Sequence, residues 1–234
     1  MTFIGTAGWS IPAQYKTQFS GEGSHLQRYA TRLNCVEINS SFYRPHKRTT
    51  YEKWAGAVPK RFRFSVKCPR SITQNHRLSG YGDELDRFLE EVMGLGAKLG
   101  VLLVQLPPSL MFDANVAASF FRDIKRVGTT IACEARHASW FEDESDQMLK
   151  NLGVTRVAAD PPRALTDGMP GGDKRVAYFR LHGNPKIYYS DYSGKMLSQW
   201  AAKLRPSDWC IFDNTAAQHA LGNAMSMKEE VGTS

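Results

Sequence analysis

Residues 130–137 read Thr-Ile-Ala-Cys-Glu-Ala-Arg-His, a short apolar run that ends in charge. A spacing of two puts Glu134 and Arg136 on one face of a strand. Glu37-x-Asn39 and Arg180-x-His182 repeat that form, and eight apolar stretches can be marked in all. They run Phe3 to Gly8, Cys35 to Phe42, Phe62 to Pro69, Val101 to Pro108, Thr130 to His137, Thr155 to Asp160, Val176 to Gly183 and Trp209 to Asn214. At least six end in polar or charged residues at the downstream end. Between them, apolar residues recur at i, i+3, i+4, i+7, as in Leu85, Phe88, Leu89 and Val92, or Ala117, Phe120, Phe121 and Ile124. That spacing is a helix burying one face.

Such alternation from end to end predicts an α/β chain, and eight units suit a (β/α)₈ TIM barrel whose strand ends converge at the C-terminal pole. An open doubly wound sheet is the alternative, but it would spread those ends along an edge. Thr49 with Glu52 reads as a capping box, Gly128 and Gly153 as C-cap glycines, and Ala216 to about Lys228 as the final helix. Unit six is irregular, because Pro161-Pro162 and the stretch to Lys174 show no helical period; a long loop at the barrel mouth is expected there. A barrel of 234 residues is one domain over 1–234, with about 229–234 a polar tail.

No apolar run approaches the roughly 18 residues that span a bilayer, and Met1-Thr2-Phe3 enters a strand without a charged leader. A soluble cytoplasmic protein is expected, with no membrane partner. Cys35, Cys68, Cys133 and Cys210 lie far apart within or beside strands, as reduced core thiols would. The net charge of +7 is localised: Arg44 to Arg70 holds nine Lys or Arg and a single acid, Glu52. Such a patch suits an anionic partner.

On strand faces taken at their simplest, Glu37, Asn39, Ser41, Lys67, Gln105, Glu134, Arg136, Asp160, Arg180 and His182 fall near the C-terminal ends, joined by Asp213 or Asn214. The bland reading is an ion-pair lattice closing the barrel; yet burying several ions costs several kcal/mol each unless they are well paired, which favours a site.

Six segments in order, GTAGW (5–9), VEINSSFYR (36–44), FRFSVK (62–67), QLPP (105–108), CEARHASW (133–140) and YFRLHG (178–183), resemble the YecE-like family, domain of unknown function 72. The match covers nearly the whole chain. The resemblance implies a TIM barrel and assigns no activity. Three positions depart from the family pattern: Ala7 where Ser is usual, Gln74 where a His is common, and Asp213-Asn214 in place of Asn-Asn. A step served by that His in relatives would be altered here.

The reading that follows is an enzyme acting by acid-base chemistry on a small phosphorylated or carboxylated substrate. Glu37, Glu134, His182 and Lys67 are its candidate catalytic residues, with lyase, isomerase and hydrolase undecided. Trp9, Asn39, Tyr43, Arg44, Gln105, Arg136, Trp140, Arg180 and Asn214 are candidate substrate-binding residues, the three aromatics as walls. No cofactor motif is present: Gly94-x-Gly96 precedes a strand, and no Walker loop appears. A divalent metal is an alternative, on Glu37, Glu134, Asp160, His182 and Asp213, although Lys67, Arg136 and Arg180 would repel it. Nucleic-acid binding is another, through Arg44, Lys47, Arg48 and Lys53 interleaved with Tyr43, Tyr51 and Trp54.

Overall fold

The computed structural model describes residues 1–19, 21–162 and 168–232. It is a mixed α/β fold of parallel strands. One sheet runs in the order β1 (Phe3–Thr6), β10 (Trp209–Phe212), β9 (Tyr178–Leu181), β7 (Ala158–Asp160). The other runs β2 (Cys35–Ile38), β3 (Arg63–Lys67), β4 (Leu99–Gln105), β5 (Thr130–Glu134), β6 (Val154–Arg156), β8 (Gly171–Gly172). All pairs are parallel except β6 with β8. The sheets meet at two junctions. Val157 alone separates β6, which pairs with β5, from β7, which pairs with β9. A single parallel bridge joins Ala7 to Glu37, where the Gly8 N–H donates to the Glu37 carbonyl at 2.9 Å.

Strands buried on both faces read as continuous apolar runs, which is why these segments carry so little alternation. Their inner faces form a small core of Cys35, Val101, Leu103, Ala132, Val157, Tyr178, Trp209 and Ile211, drawn from both sheets. Gly100 makes room for it: a Cβ there would lie 2.4 Å from the Trp209 ring of the other sheet. Gly5 does the same between β1 and β2, where a Cβ would stand 2.2 Å from the Cys35 carbonyl oxygen. All four cysteines are buried and free.

The helices cover the outer faces. They are α1 (His25–Tyr29), α2 (Arg48–Gly56), α3 (Glu84–Val92), α4 (Ala114–Ile124), α5 (Asp143–Asn151), α6 (Gly194–Ala201) and α7 (Ala220–Gly232). Helix α4 buries the Ala117, Phe120, Phe121 and Ile124 stripe that its spacing predicts. Asp113 starts it by accepting the Asn115 and Val116 N–H groups at 3.0 Å. Thr49 and Glu52 form no capping box, because α2 begins two residues earlier, with Lys47 at the cap. Ser24 and Gln27 form a capping box at the start of α1. Gly128 and Gly153 do take left-handed conformations at helix ends.

Unit six departs from a plain loop. Gly171–Gly172 pairs antiparallel with β6, so the return connection is partly extended. Arg163 to Asp167 of that predicted loop lie outside the described residues. Helix α7 starts at Ala220 instead of Ala216, after a turn with Gln218 at φ 65°. It continues to Gly232, so 229–232 are helical, not a tail. Among the described residues no helix is long and apolar enough to cross a membrane.

Candidate functional site

Strands β2, β3, β4, β5 and β9 end within a residue or two of the polar positions, and chain polarity brings those ends to one pole. Arg180 is the hub. It follows Tyr178 by two on the inner face of β9 and is fully buried. Its Nε donates to Glu37 Oε2 at 3.0 Å and its Nη2 to Oε1 at 2.7 Å, the two-point fork that suits a guanidinium to a carboxylate. Nη1 donates to Glu134 Oε2 at 2.5 Å and Nη2 to Asp213 Oδ2 at 3.0 Å. One cation thus ties together β2, β5 and the segment after β10.

Each carboxylate has further partners. The Tyr178 hydroxyl donates to Glu37 Oε2 at 2.8 Å and also stands 2.8 Å from Ser65 Oγ. A phenol has one proton, so Ser65 must donate back to the tyrosine oxygen. Glu134 accepts from Gln105 Nε2 at 3.0 Å and from Arg136 Nη2 at 2.9 Å. His182 Nδ1 lies 3.0 Å from Asp213 Oδ2, while Nε2 stands 3.2 Å from Glu134 Oε1 at an angle that makes no hydrogen bond.

Charge follows from this packing. Burial alone would raise the Glu134 carboxyl, yet Arg180, Arg136 and His182 hold it well below the usual range. Asp213 is lowered against burial by Arg180 and His182. Burial opposes the His182 imidazolium, but Glu134 and the bond to Asp213 overcome it and raise its pKa above 6.5. A raised pKa in the fold contributes stability fully below about pH 6.5, and that contribution fades as pH climbs through the folded-state value. His182→Gln should therefore flatten the fall in unfolding free energy above pH 6.5, read from urea curves across pH. Parallel slopes for the two proteins would contradict the charged imidazole.

Lys67 is different. Its Nζ sits 4.1 Å from the centre of the Phe42 ring and makes no hydrogen bond among the described residues, though the side chain is only 6% exposed. Burial first, then Arg180, push its pKa down to about 8 against the pull of Glu37, Glu134 and Asp213.

The remaining sequence candidates divide. Asn39 is half-buried beside the cluster's β2 end, with Oδ1 unpartnered. Trp9 is half-buried, edge-on to Trp54 at 5.2 Å. Tyr43 and Arg44 point elsewhere: with Arg70, Arg87 and Phe88 they line a cavity of about 440 Å³ that none of the paired carboxylates of the cluster enters. Trp140 is no wall of the site. It is 1% exposed, donates Nε1 to the Leu110 carbonyl at 2.9 Å and packs on Phe112, a core role under the β4 and β5 loops. Asn214 turns away to Ser190 and Asn223.

The five-residue metal set is not assembled. Asp160 is taken by the Tyr192 hydroxyl at 2.7 Å and by Asn184, and the Arg180 guanidinium fills the space between Glu37, Glu134 and Asp213. Among the described residues no three His, Cys, Asp or Glu side chains are grouped to hold an ion. Of the aromatics of the basic stretch, Tyr51 is 1% exposed and Trp54 packs on Trp9 and His46, whereas Tyr43 is 75% exposed.

A family model described as protein of unknown function DUF72 matches residues 3–234. The chain belongs to the DUF72 family. It is 24% identical over 269 residues to the UPF0759 protein YunF of Bacillus subtilis (strain 168), covering 98% of this chain and 94% of that protein. It is 26% identical over 170 residues to the UPF0759 protein YecE of Escherichia coli (strain K12), across 73% of this chain and 60% of YecE. A solved DUF72 family protein from Enterococcus faecalis V583 superposes with a TM-score of 0.81 at 21% identity, over 100% of this chain and 96% of that one. Beyond DUF72, D-psicose 3-epimerase from Clostridium cellulolyticum H10 superposes at 0.58 with 7% identity, over 99% and 98% of the chains, a likeness of fold alone.

Tyr178, Ser65 and Tyr188 belong to this cluster and were missed in the sequence. Tyr178 continues the Arg180-x-His182 spacing upstream, so the same period-two signal could have found it. Tyr188 stands edge-on to His182 at 5.8 Å with φ 70°. It lies in a loop, and no periodicity marks it.

Proposed function

We propose that this DUF72 protein is an enzyme that performs acid-base chemistry on a small phosphorylated or carboxylated substrate at the C-terminal pole of a (β/α)₈ barrel. The Ala7 to Glu37 bridge and the run through Val157 support reading the two sheets as one eight-stranded ring. A single cytoplasmic domain goes with that reading.

One observation carries the functional part. The three carboxylates are hydrogen-bonded by Arg180, Arg136 and His182, which leaves the Lys67 ammonium as a cation without a hydrogen-bonded counter-charge. An anion bound beside it would supply the missing partner. Arg136, half-buried and with no hydrogen bond from Nη1 among the described residues, is the second donor within the cluster. In this reading Arg180 binds no substrate; it holds Glu37, Glu134 and Asp213 in place. Lys67, whose pKa is pushed down to about 8, carries the proton, with Asp213 and His182 as its relay.

Thermal unfolding with inorganic phosphate, sulfate and a panel of phosphorylated and carboxylated metabolites tests this. A ligand at about a hundred times its dissociation constant should stabilise the protein by about 2.7 kcal/mol, and Lys67→Met by much less. If no anion moves the transition, the cluster is a structural lattice and the anionic-substrate reading fails.

A further inference from the structure

Proton transfer alone does not require an amine placed as Lys67 is. A base needs only a lone pair within reach, and an amine serving as a fixed charge is ordinarily hydrogen-bonded to a carboxylate. Lys67 is the last residue of β3, on the inner face, its Nζ resting on the Phe42 ring. Apart from Asp213 Oδ1, the nearby carboxylate oxygens are engaged by other donors, and the Lys67 side chain keeps 6% of its surface in solvent. Such an amine is withdrawn from water by burial and is repelled by the Arg180 guanidinium. Those are the two surroundings that turn a lysine into a nucleophile.

We propose that Lys67 forms an imine with the carbonyl carbon of a small anionic aldehyde or ketone. The proposal rests on the anionic-substrate reading of this site and deepens it by naming the substrate class and the covalent step. The Nζ lone pair attacks the carbonyl carbon, a C–N bond forms, and the π pair moves to oxygen, which takes a proton to give a carbinolamine. Nitrogen then gives up its remaining extra proton, the C–O bond breaks with protonation of the hydroxyl, and water leaves as the C=N bond forms. Nothing is oxidised or reduced.

The neighbours fit each stage. Asp213 Oδ2 carries Arg180 and His182, whereas Oδ1 has no hydrogen bond among the described residues and can receive and return the proton. Arg136 Nη1 can hold the substrate's carboxylate or phosphate. A protonated imine keeps a positive charge where Glu37, Glu134 and Asp213 already attract one, and it acidifies the adjacent C–H bond. Carbonyl isomerisation and carbon–carbon cleavage both begin from that species. With a pKa of about 8, about a tenth of the Lys67 amine is neutral at pH 7, against roughly one in three thousand for an ordinary lysine.

Glyoxylate, a small aldehyde that carries a carboxylate, is the probe. Incubated with the protein and sodium cyanoborohydride, it leaves a carboxymethyl group wherever an imine forms, because hydride is delivered to the imine carbon. Peptide mapping at pH 7 should find Lys67 modified at least about tenfold faster than the exposed Lys150 and Lys195, following its larger neutral fraction. Inorganic phosphate should slow the reaction at Lys67 and leave the other two unchanged. Lys67→Met should label Lys150 and Lys195 as before, which shows the chemistry intact in a folded protein. Modification of Lys67 no faster than of those two overturns the imine. If phosphate still raises the unfolding temperature in that case, the acid-base reading stands without the covalent step; if it does not, both fall.

Discussion

Replacing Arg180 by Met is expected to lower the unfolding free energy by about 3–5 kcal/mol, the cost of breaking a buried ion pair from one side. Three carboxylates depend on this one guanidinium, and Glu37 loses both points of its fork. The side chain removed is fully buried, so water cannot take its place without opening the pole. Arg180→Lys should recover only part of the loss, since one ammonium cannot reach partners on β2, β5 and the segment after β10 together. Equilibrium urea denaturation at pH 7 reads the difference directly. A loss below about 1 kcal/mol for Arg180→Met would mean that the carboxylates are paired elsewhere, and the hub assignment would be wrong.

Lys67→Met should do the reverse. Its pKa in the fold, about 8, lies below the usual 10.5. The folded chain therefore binds fewer protons than the unfolded chain between those values. The cost of the buried ammonium is then full below pH 8 and fades as pH rises toward the unfolded value. Methionine, close in volume and uncharged, removes a cost of up to about 3 kcal/mol at pH 7. The variant should be at least as stable as the wild type at pH 7 and should lose that advantage toward pH 10. Ligand-induced stabilisation should nearly vanish in it. A variant that is markedly less stable at pH 7 would put Lys67 inside the lattice beside Arg180 and remove the reason to call it functional.

Strand and helix order was legible in the sequence because burial on both faces of a parallel strand and on one face of a helix leaves periods that need no tertiary knowledge. The period-two spacings of Glu37, Glu134, Arg180 and His182 were legible for the same reason: a strand sends i and i+2 to one side, and strand polarity sets the pole. Partner choice was not. The sequence holds three cations and three carboxylates at that pole with nothing to say that Arg180 serves all the acids while Lys67 serves none. That division depends on angles and distances among residues up to 143 positions apart. Trp140 and Asp160 show the same limit, since a residue at a strand end turns inward or outward according to the first loop residues and what they pack on. Local chemistry thus determined which strand positions share a face, and only tertiary packing decided which side chains enter the cluster, which of them are spent on one another and which amine is left over.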